Sequence, residues 1–148
     1  MTHYTCAIIW RFLPKDQELE FLVIDYRSID PSTGQKTERQ VKFPGGTNTD
    51  YLDEKVEQTL FREVFEETGL VVQEWKEIWK QEVNPDHTKY GFLVNIDNCQ
   101  GGLRSHSISD NGDEIGPPYW FSAKTLGRVL FYSHQPAYLA ACRALGVL

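Results

Sequence analysis

Between Arg62 and Leu70 the chain reads REVFEETGL, and this stretch limits what the rest of the sequence can build. Set on a helix at about 100° per residue, Glu63, Glu66 and Glu67 fall within an arc of roughly 100°, while Phe61, Val64 and Phe65 turn to the opposite side. One face is acidic and the other is expected to meet a core. Carboxylates three and four positions apart repel each other by a few tenths of a kcal/mol per pair, so the acidic face weakens the helix unless a cation sits among them. A hard divalent ion is the natural neutraliser. Oxygen-only ligation suits Mg²⁺ or Mn²⁺, and Mg²⁺ uses one or two carboxylates and leaves its other positions to water and substrate phosphates. An acidic stripe alone is usually a solvated face, so the decision rests on the residues around it.

Upstream lie Phe43-Pro44-Gly45-Gly46 and then Glu54, followed by seven residues and Arg62-Glu63-Val64-x-Glu66-Glu67-x-Gly69-Leu70. This resembles the Nudix box, a family pattern of Gly, five residues, Glu, seven residues and Arg-Glu-U-x-Glu-Glu-x-Gly-U, with U aliphatic. Everything from Glu54 to Leu70 matches. One departure is the segment TNTDYLD, seven residues between Gly46 and Glu54 where the pattern has five. Either the loop is longer, or the helix begins earlier with Thr49 or Asp50 as N-cap. The register of the glutamates is untouched, whereas the placement of Gly45 and Gly46 depends on that choice.

The resemblance implies the Nudix architecture, an α/β (α+β) fold with a mixed sheet sandwiched between helices. It also implies hydrolysis of a nucleoside diphosphate linked to another moiety, by water attack on phosphorus. The substrate would be a nucleotide, a dinucleoside polyphosphate or a nucleotide sugar. By resemblance, Glu63 and Glu67 are direct metal ligands, Glu66 shares or bridges ions, and the Gly45 carbonyl adds an oxygen, the backbone of Gly45 and Gly46 lying against the metal. Arg62 and Glu54 would pair behind the ligands and orient helix and loop. The general base is one of the glutamates or a carboxylate of a later loop. Some enzymes of the family carry a functional glutamate at a similar distance before a Trp-containing strand, which here is Glu114, six residues before Trp120; Asp110 and Asp113 are its rivals. Arg39 or Lys42 would meet substrate phosphate. Pro85 resembles a placement associated with ADP-ribose hydrolases, while the early runs CAIIWRF and ELEFLVIDY look similar to small diadenosine-polyphosphate and nucleotide hydrolases. A non-catalytic nucleotide-binding regulatory module is the competing reading, and loss of a glutamate would be its mark. An isomerase of prenyl diphosphates would demand further catalytic residues that do not stand out.

The 148 residues fit one domain, 1–148, long enough to bury roughly two-thirds of its unfolded surface. Cys6, Cys99 and Cys142 are odd in number and far apart, which speaks against a disulfide framework or zinc site. With no long apolar segment and no basic leader, the expectation is a soluble cytoplasmic protein away from membranes. Net charge is −6. From Asp50 to Glu82 ten acids face four bases, and 10 − 4 = 6 accounts for all of it. No basic stripe is present, so duplex nucleic acid is not the expected partner, and the oligomeric state is left open.

Along the chain, Tyr4 to Phe12 and Leu19 to Tyr26 read as strands covered on both faces, around a turn at Pro14 to Gln17. A polar loop over 27–39 leads to a short strand from Arg39 to Phe43. Gly69 is placed to close the helix as a left-handed cap. Val71 to Val83 and Tyr90 to Ile96 read as a hairpin turning at Asn84 to His87, with Trp75 and Trp79 spaced for packing in a strand. Residues 97–113 read as a long irregular loop, followed by a strand around Trp120 and Phe121. Ser122 is placed to cap a helix over Ala123 to Leu130, and Ser133 to cap a last helix with Pro136 in its first turn, running to Leu145 and ending at Gly146. His3, His87, His106 and His134 read as solvated loop residues, with His106 a weak candidate for assisting a leaving group.

Overall fold

Two apolar runs make the centre of the molecule because both faces of each must be hidden. Cys6, Ile8, Phe21 and Val23 enter one core, with Ala137, Ala141 and Cys142; their neighbours Ala7, Ile9 and Leu22 enter a second, with Leu60 and Val64. Side chains alternate across a strand, so a continuous apolar run feeds two layers at once. The computed structural model describes residues 1–110 and 112–147; Asn111, inside the loop expected over 97–113, and Leu148 lie outside the described residues.

Among the described residues the strands are β1 (Thr2–Phe12), β2 (Leu19–Arg27), β3 (Gln40–Lys42), β4 (Gly45–Thr47), β5 (Leu70–Val72), β6 (Lys76–Asn84), β7 (His87–Asn95), β8 (Cys99–Gly101), β9 (Ile108–Asp110), β10 (Asp113–Ile115) and β11 (Tyr119–Ser122). The helices are α1 (Val56–Thr68), α2 (Ala123–Leu126) and α3 (Gln135–Ala144). The main sheet runs β6-β7-β1-β2-β10-β9, with β1 and β7 parallel and the other pairs antiparallel. α3 packs on one face and α1 on the other, so the expected mixed sheet between helices is what forms. Burying Leu60 and Val64 of α1 contributes about 1.5–3 kcal/mol each.

The sheet has a split in it, and the split makes the site. β1 and β2 pair only from Trp10↔Phe21 to Phe12↔Leu19 and then diverge. β3 fills the β2 side of the gap, opposite Ile24 to Tyr26, and β4 fills the β1 side, opposite Tyr4 to Cys6. Phe43 and Pro44 cross between them, Phe43 being buried.

Several local expectations are corrected. The extra residues before Glu54 are loop, since α1 starts at Val56 with Lys55 as N-cap; turns from Asn48 to Tyr51 and from Tyr51 to Glu54 take up the slack. Phe65 is exposed rather than buried. The run from Val71 to Val83 breaks into β5 and β6, because Leu70–Val72 pair with β8 in a separate two-stranded sheet, which the Gln73 N–H extends by donating to the Asn98 carbonyl. The long loop is partly ordered into β8, which pairs with β5, and β9, which pairs with β10. The helix expected to Leu130 is the single turn α2, because the Ser122 hydroxyl bonds Glu18 instead of capping. Leu130 then bridges to Val41. Ser133 falls within a 3₁₀ turn, Tyr132–His134, ahead of α3.

Candidate active site

Glu63 and Glu67 stand one turn apart on α1, and the side of the helix that carries them is pressed against the end of the sheet at β4. Both are buried, 8% and 7% exposed, while Glu66 is open to solvent. The close approach is what Gly45 and Gly46 permit. A Cβ on Gly46 would lie 2.4–2.7 Å from the Glu63 carboxylate, and one on Gly45 would lie 2.0 Å from the Thr5 carbonyl oxygen. The Gly45 contact is with backbone and cannot be relieved by a side chain moving, whereas a Cβ on Gly46 would have to displace the Glu63 carboxylate from its place. The Gly45 N–H donates to Glu67 Oε1 at 2.7 Å, so the Pro-Gly-Gly segment holds one glutamate directly and makes room for the other.

Arg62 ties the loop to the helix. Its guanidinium donates to both oxygens of Glu54 at 2.8 and 2.9 Å, to Glu63 Oε1 at 2.9 Å, and to the Thr47 carbonyl at 3.0 Å. It lies 3.4 Å from Glu66 Oε2 and over the Tyr51 ring at 4.5 Å. Glu54 also accepts from the Thr59 hydroxyl at 2.6 Å, which contacts the buried His3 ring. Arginine's planar fork suits this paired geometry. The Arg62 bonds hold Glu54 below its ordinary value.

The two buried glutamates go the other way. Desolvation pushes Glu63 up to about 7 despite Arg62, with Glu66 and Asp110 adding to the rise. Burial and then the charge of Glu63 push Glu67 well up, against the Gly45 N–H and Lys42. Two desolvated carboxylates with little fixed positive charge beside them are a donor set that a cation suits. Among the described residues no three His, Cys, Asp or Glu side chains enclose a point by themselves. The oxygen donor set and the Gly46 cradle therefore fit Mg²⁺ or Mn²⁺ in the form that takes one or two carboxylates and completes its shell from water and phosphate.

The cleft is about 730 Å³ and brings Glu63, Glu66, Glu67, Arg62, Gly45 and Gly46 together. Lys42, Tyr4, Asp110 and Asp113 also line it. Two sequence expectations fall outside it. Glu114 faces away, because side chains alternate along β10 and its carboxylate is paired with Lys36 at 2.8 Å; its rivals Asp110 and Asp113 reach the cleft instead, Tyr26 donating to Asp113. Arg39 is a surface residue paired with Asp25 at 3.2 Å, and Lys42 takes the inward position. Glu54 stands behind the cleft as the partner of Arg62.

Other residues carried no local signal. His3 and His134 are buried rather than solvated. Arg104 reaches back from the long loop to donate to the Glu67 carbonyl, at 3.1 and 2.6 Å, and to the Gly116 carbonyl at 2.8 Å. It pins the C-terminal end of α1, where Gly69 closes the helix at φ 88°. Only a pairing map could have shown that.

A family profile described as the NUDIX domain matches residues 2–141. By sequence, no curated protein matches. Among solved structures, a MutT studied from Aliivibrio salmonicida and Vibrio cholerae superimposes with a TM-score of 0.64 at 20% identity, covering 96% of this chain and 98% of that one. The NUDIX domain of Shewanella oneidensis NrtR, solved with ADP ribose, gives 0.66 at 20% identity over 97% and 87%. A MutT NUDIX hydrolase from Burkholderia pseudomallei gives 0.62 at 19% identity over 93% and 95%. These likenesses concern the fold.

Proposed function

Because this chain belongs to the Nudix family and is a Nudix-type hydrolase, we propose that it cleaves the diphosphate bond of a nucleoside diphosphate derivative in a reaction that depends on Mg²⁺ or Mn²⁺. The observation that carries the reading is the pair Glu63 and Glu67, buried and short of positive charge at the floor of an open cleft. Glu63, Glu67 and Glu66, with the Gly45 carbonyl, would hold the ion, which when bound supplies neutralisation of the diphosphate and a more acidic attacking water.

The protein's own part is positional. Arg62 fixes the rotamer of Glu63, and the Gly45 N–H fixes that of Glu67, so the carboxylates are oriented before a substrate arrives. Arg104 prevents the helix end from drawing back. The proton of the attacking water passes to a carboxylate of the cleft, and Asp110 is our candidate. It faces Glu63 and Glu67 closely enough to raise both and stands apart from the Arg62 network.

The test is a phosphate-release screen with Mg²⁺ over nucleoside triphosphates, ADP-ribose, NADH, dinucleoside polyphosphates and capped nucleotides. Turnover of at least one, abolished by chelation, is the expected result. Nucleotide binding with no turnover across the panel would instead support a regulatory module that binds without hydrolysing.

A further inference from the structure

Besides the glutamates, the lining of the cleft carries two groups whose protons have no acceptor among the described residues. Lys42, at the end of β3, is half-buried, with its ammonium 4.3 Å from the Tyr26 ring and 4.8 Å from the Phe131 ring. Among the described residues it forms no ion pair. Burial lowers its pKa from the ordinary value, with the charges of Glu67 and Asp113 opposing, and an anion entering the cleft would favour the charged form.

Tyr4 follows from a tautomer argument. The Phe43 N–H donates to His134 Nδ1 at 3.1 Å, so Nδ1 carries no proton. Burial pushes His134 down to about 3, so the ring is neutral at ordinary pH and its one proton sits on Nε2. Nε2 lies 2.7 Å from the Tyr4 hydroxyl oxygen. It must therefore be the donor there, and the phenol oxygen the acceptor. The hydroxyl's own proton is left to point elsewhere, and Tyr4 lines the cleft with Glu63 and Glu67. Burial together with those acids keeps the phenol protonated.

We propose that Tyr4 and Lys42 form the phosphate-binding wall of the cleft. The Tyr4 hydroxyl donates to, and the Lys42 ammonium pairs with, non-bridging oxygens of a nucleoside diphosphate group lying between them and α1. His134 is the positioning residue that turns the hydroxyl proton outward. The assignment rests on the hydrolase reading above and names the groups that grip its substrate.

The experiment titrates α,β-methylene-ADP with Mg²⁺ into the parent protein, Tyr4→Phe, Lys42→Met and Lys42→Arg by calorimetry, with adenosine as the control ligand. Tyr4→Phe and Lys42→Met should each raise Kd for α,β-methylene-ADP about tenfold. Lys42→Arg should recover most of the loss, and adenosine affinity should stay at the parent value. The ³¹P resonances of the bound probe should move in Tyr4→Phe, and ¹⁵N NMR should show Nε2 as the protonated nitrogen of His134 across a pH range of about 5 to 8. Equal Kd values with unmoved ³¹P resonances would overturn the assignment, as would a loss shared by adenosine or a proton on Nδ1. A parent protein that neither binds α,β-methylene-ADP nor turns over any substrate of the screen would overturn the hydrolase reading and this one with it; turnover of a substrate at parent kcat/KM in both Tyr4→Phe and Lys42→Met, or binding of the probe by the parent and all variants alike, would overturn this one alone.

Discussion

Glu63 and Glu67 of α1 line the cleft, Glu114 of β10 faces away from it, and the two sets of acids are held in opposite ways. Glu63 and Glu67 are buried and their carboxylates are pushed up in pKa, whereas Glu114 is paired with Lys36 at the surface and held low. The difference lies in solvent access more than in the number of neighbouring charges. Glu63 has an arginine 2.9 Å away and is still raised, because the desolvation of a carboxylate outweighs one shared guanidinium. Glu114 has one lysine at the surface and is already satisfied. Demand for a cation is thus created by burial on α1, and the strand acids are free for other work.

The hardest way to break this comparison is to remove the shared guanidinium. Arg62→Met leaves Glu54 and Glu63 unpaired in a buried setting and should cost about 3–5 kcal/mol of stability in urea denaturation. Arg62→Lys should recover only part, since an ammonium cannot span the positions that the fork reaches. A loss below about 1 kcal/mol in Arg62→Met would mean that water already satisfies the two acids.

Next in size is the chemistry itself. Glu67→Gln should lower kcat on the order of 100- to 1,000-fold while leaving the metal-free protein folded, because it removes a buried charge and keeps the shape. Asp110→Asn should lower kcat on the order of hundredfold or more as a general base is lost, and its effect should be confined to kcat. Full activity in a folded Glu67→Gln protein with Mg²⁺ would move the ion away from α1.

A smaller effect follows from pH. Glu63 titrates at about 7 in the fold against the ordinary 4.5. Between those values Glu63 holds more protons in the native state than in the unfolded chain, so its contribution to the stability of the metal-free protein should fall as pH rises through that interval and level off above it. At roughly 1.4 kcal/mol per unit the loss is a few kcal/mol at most. Thermal melts from pH 4.5 to 8 should show the decline, Glu63→Gln should make it shallower while Glu67 sustains the rest, and millimolar Mg²⁺ should reverse it where matched NaCl does not. A melting temperature that rises across the interval would contradict the burial account.

Smallest of all is Glu114→Gln, for which kcat should stay within about twofold of the parent, because an exposed ion pair contributes little. A strong kcat loss would show that β10 turns over when substrate binds.

The glutamate register, the Arg62–Glu54 pair and the two-faced strands were legible in the sequence because each depends on spacing within a few residues. The Lys36 partnership of Glu114 was not, since it joins residues 78 positions apart and reverses which side of β10 serves the cleft. His3 and His134 were misread for the same reason. Nothing adjacent to His134 announces that its ring will stack on Phe43 at 5.8 Å and accept from that residue's backbone. Phe65 fails differently: the helical wheel puts it opposite the acids, but the second core is already filled by Leu60, Val64 and the strand residues Ala7, Ile9 and Leu22.

The parallel pairing of β1 with β7 has a consequence for how the chain comes to be active during synthesis. Thr2 to Trp10 meet His87 to Asn95, a separation of 85 residues at Thr2. An N-terminal fragment that has just emerged with every residue of the acidic helix in place still lacks the strand that completes the outer edge of β1. Loop closure over that distance is slow compared with local helix formation, and at typical elongation rates of about 5–20 residues per second the helix waits for seconds beside an unpaired strand edge. The acid-bearing half of the molecule is therefore made first and becomes a site last.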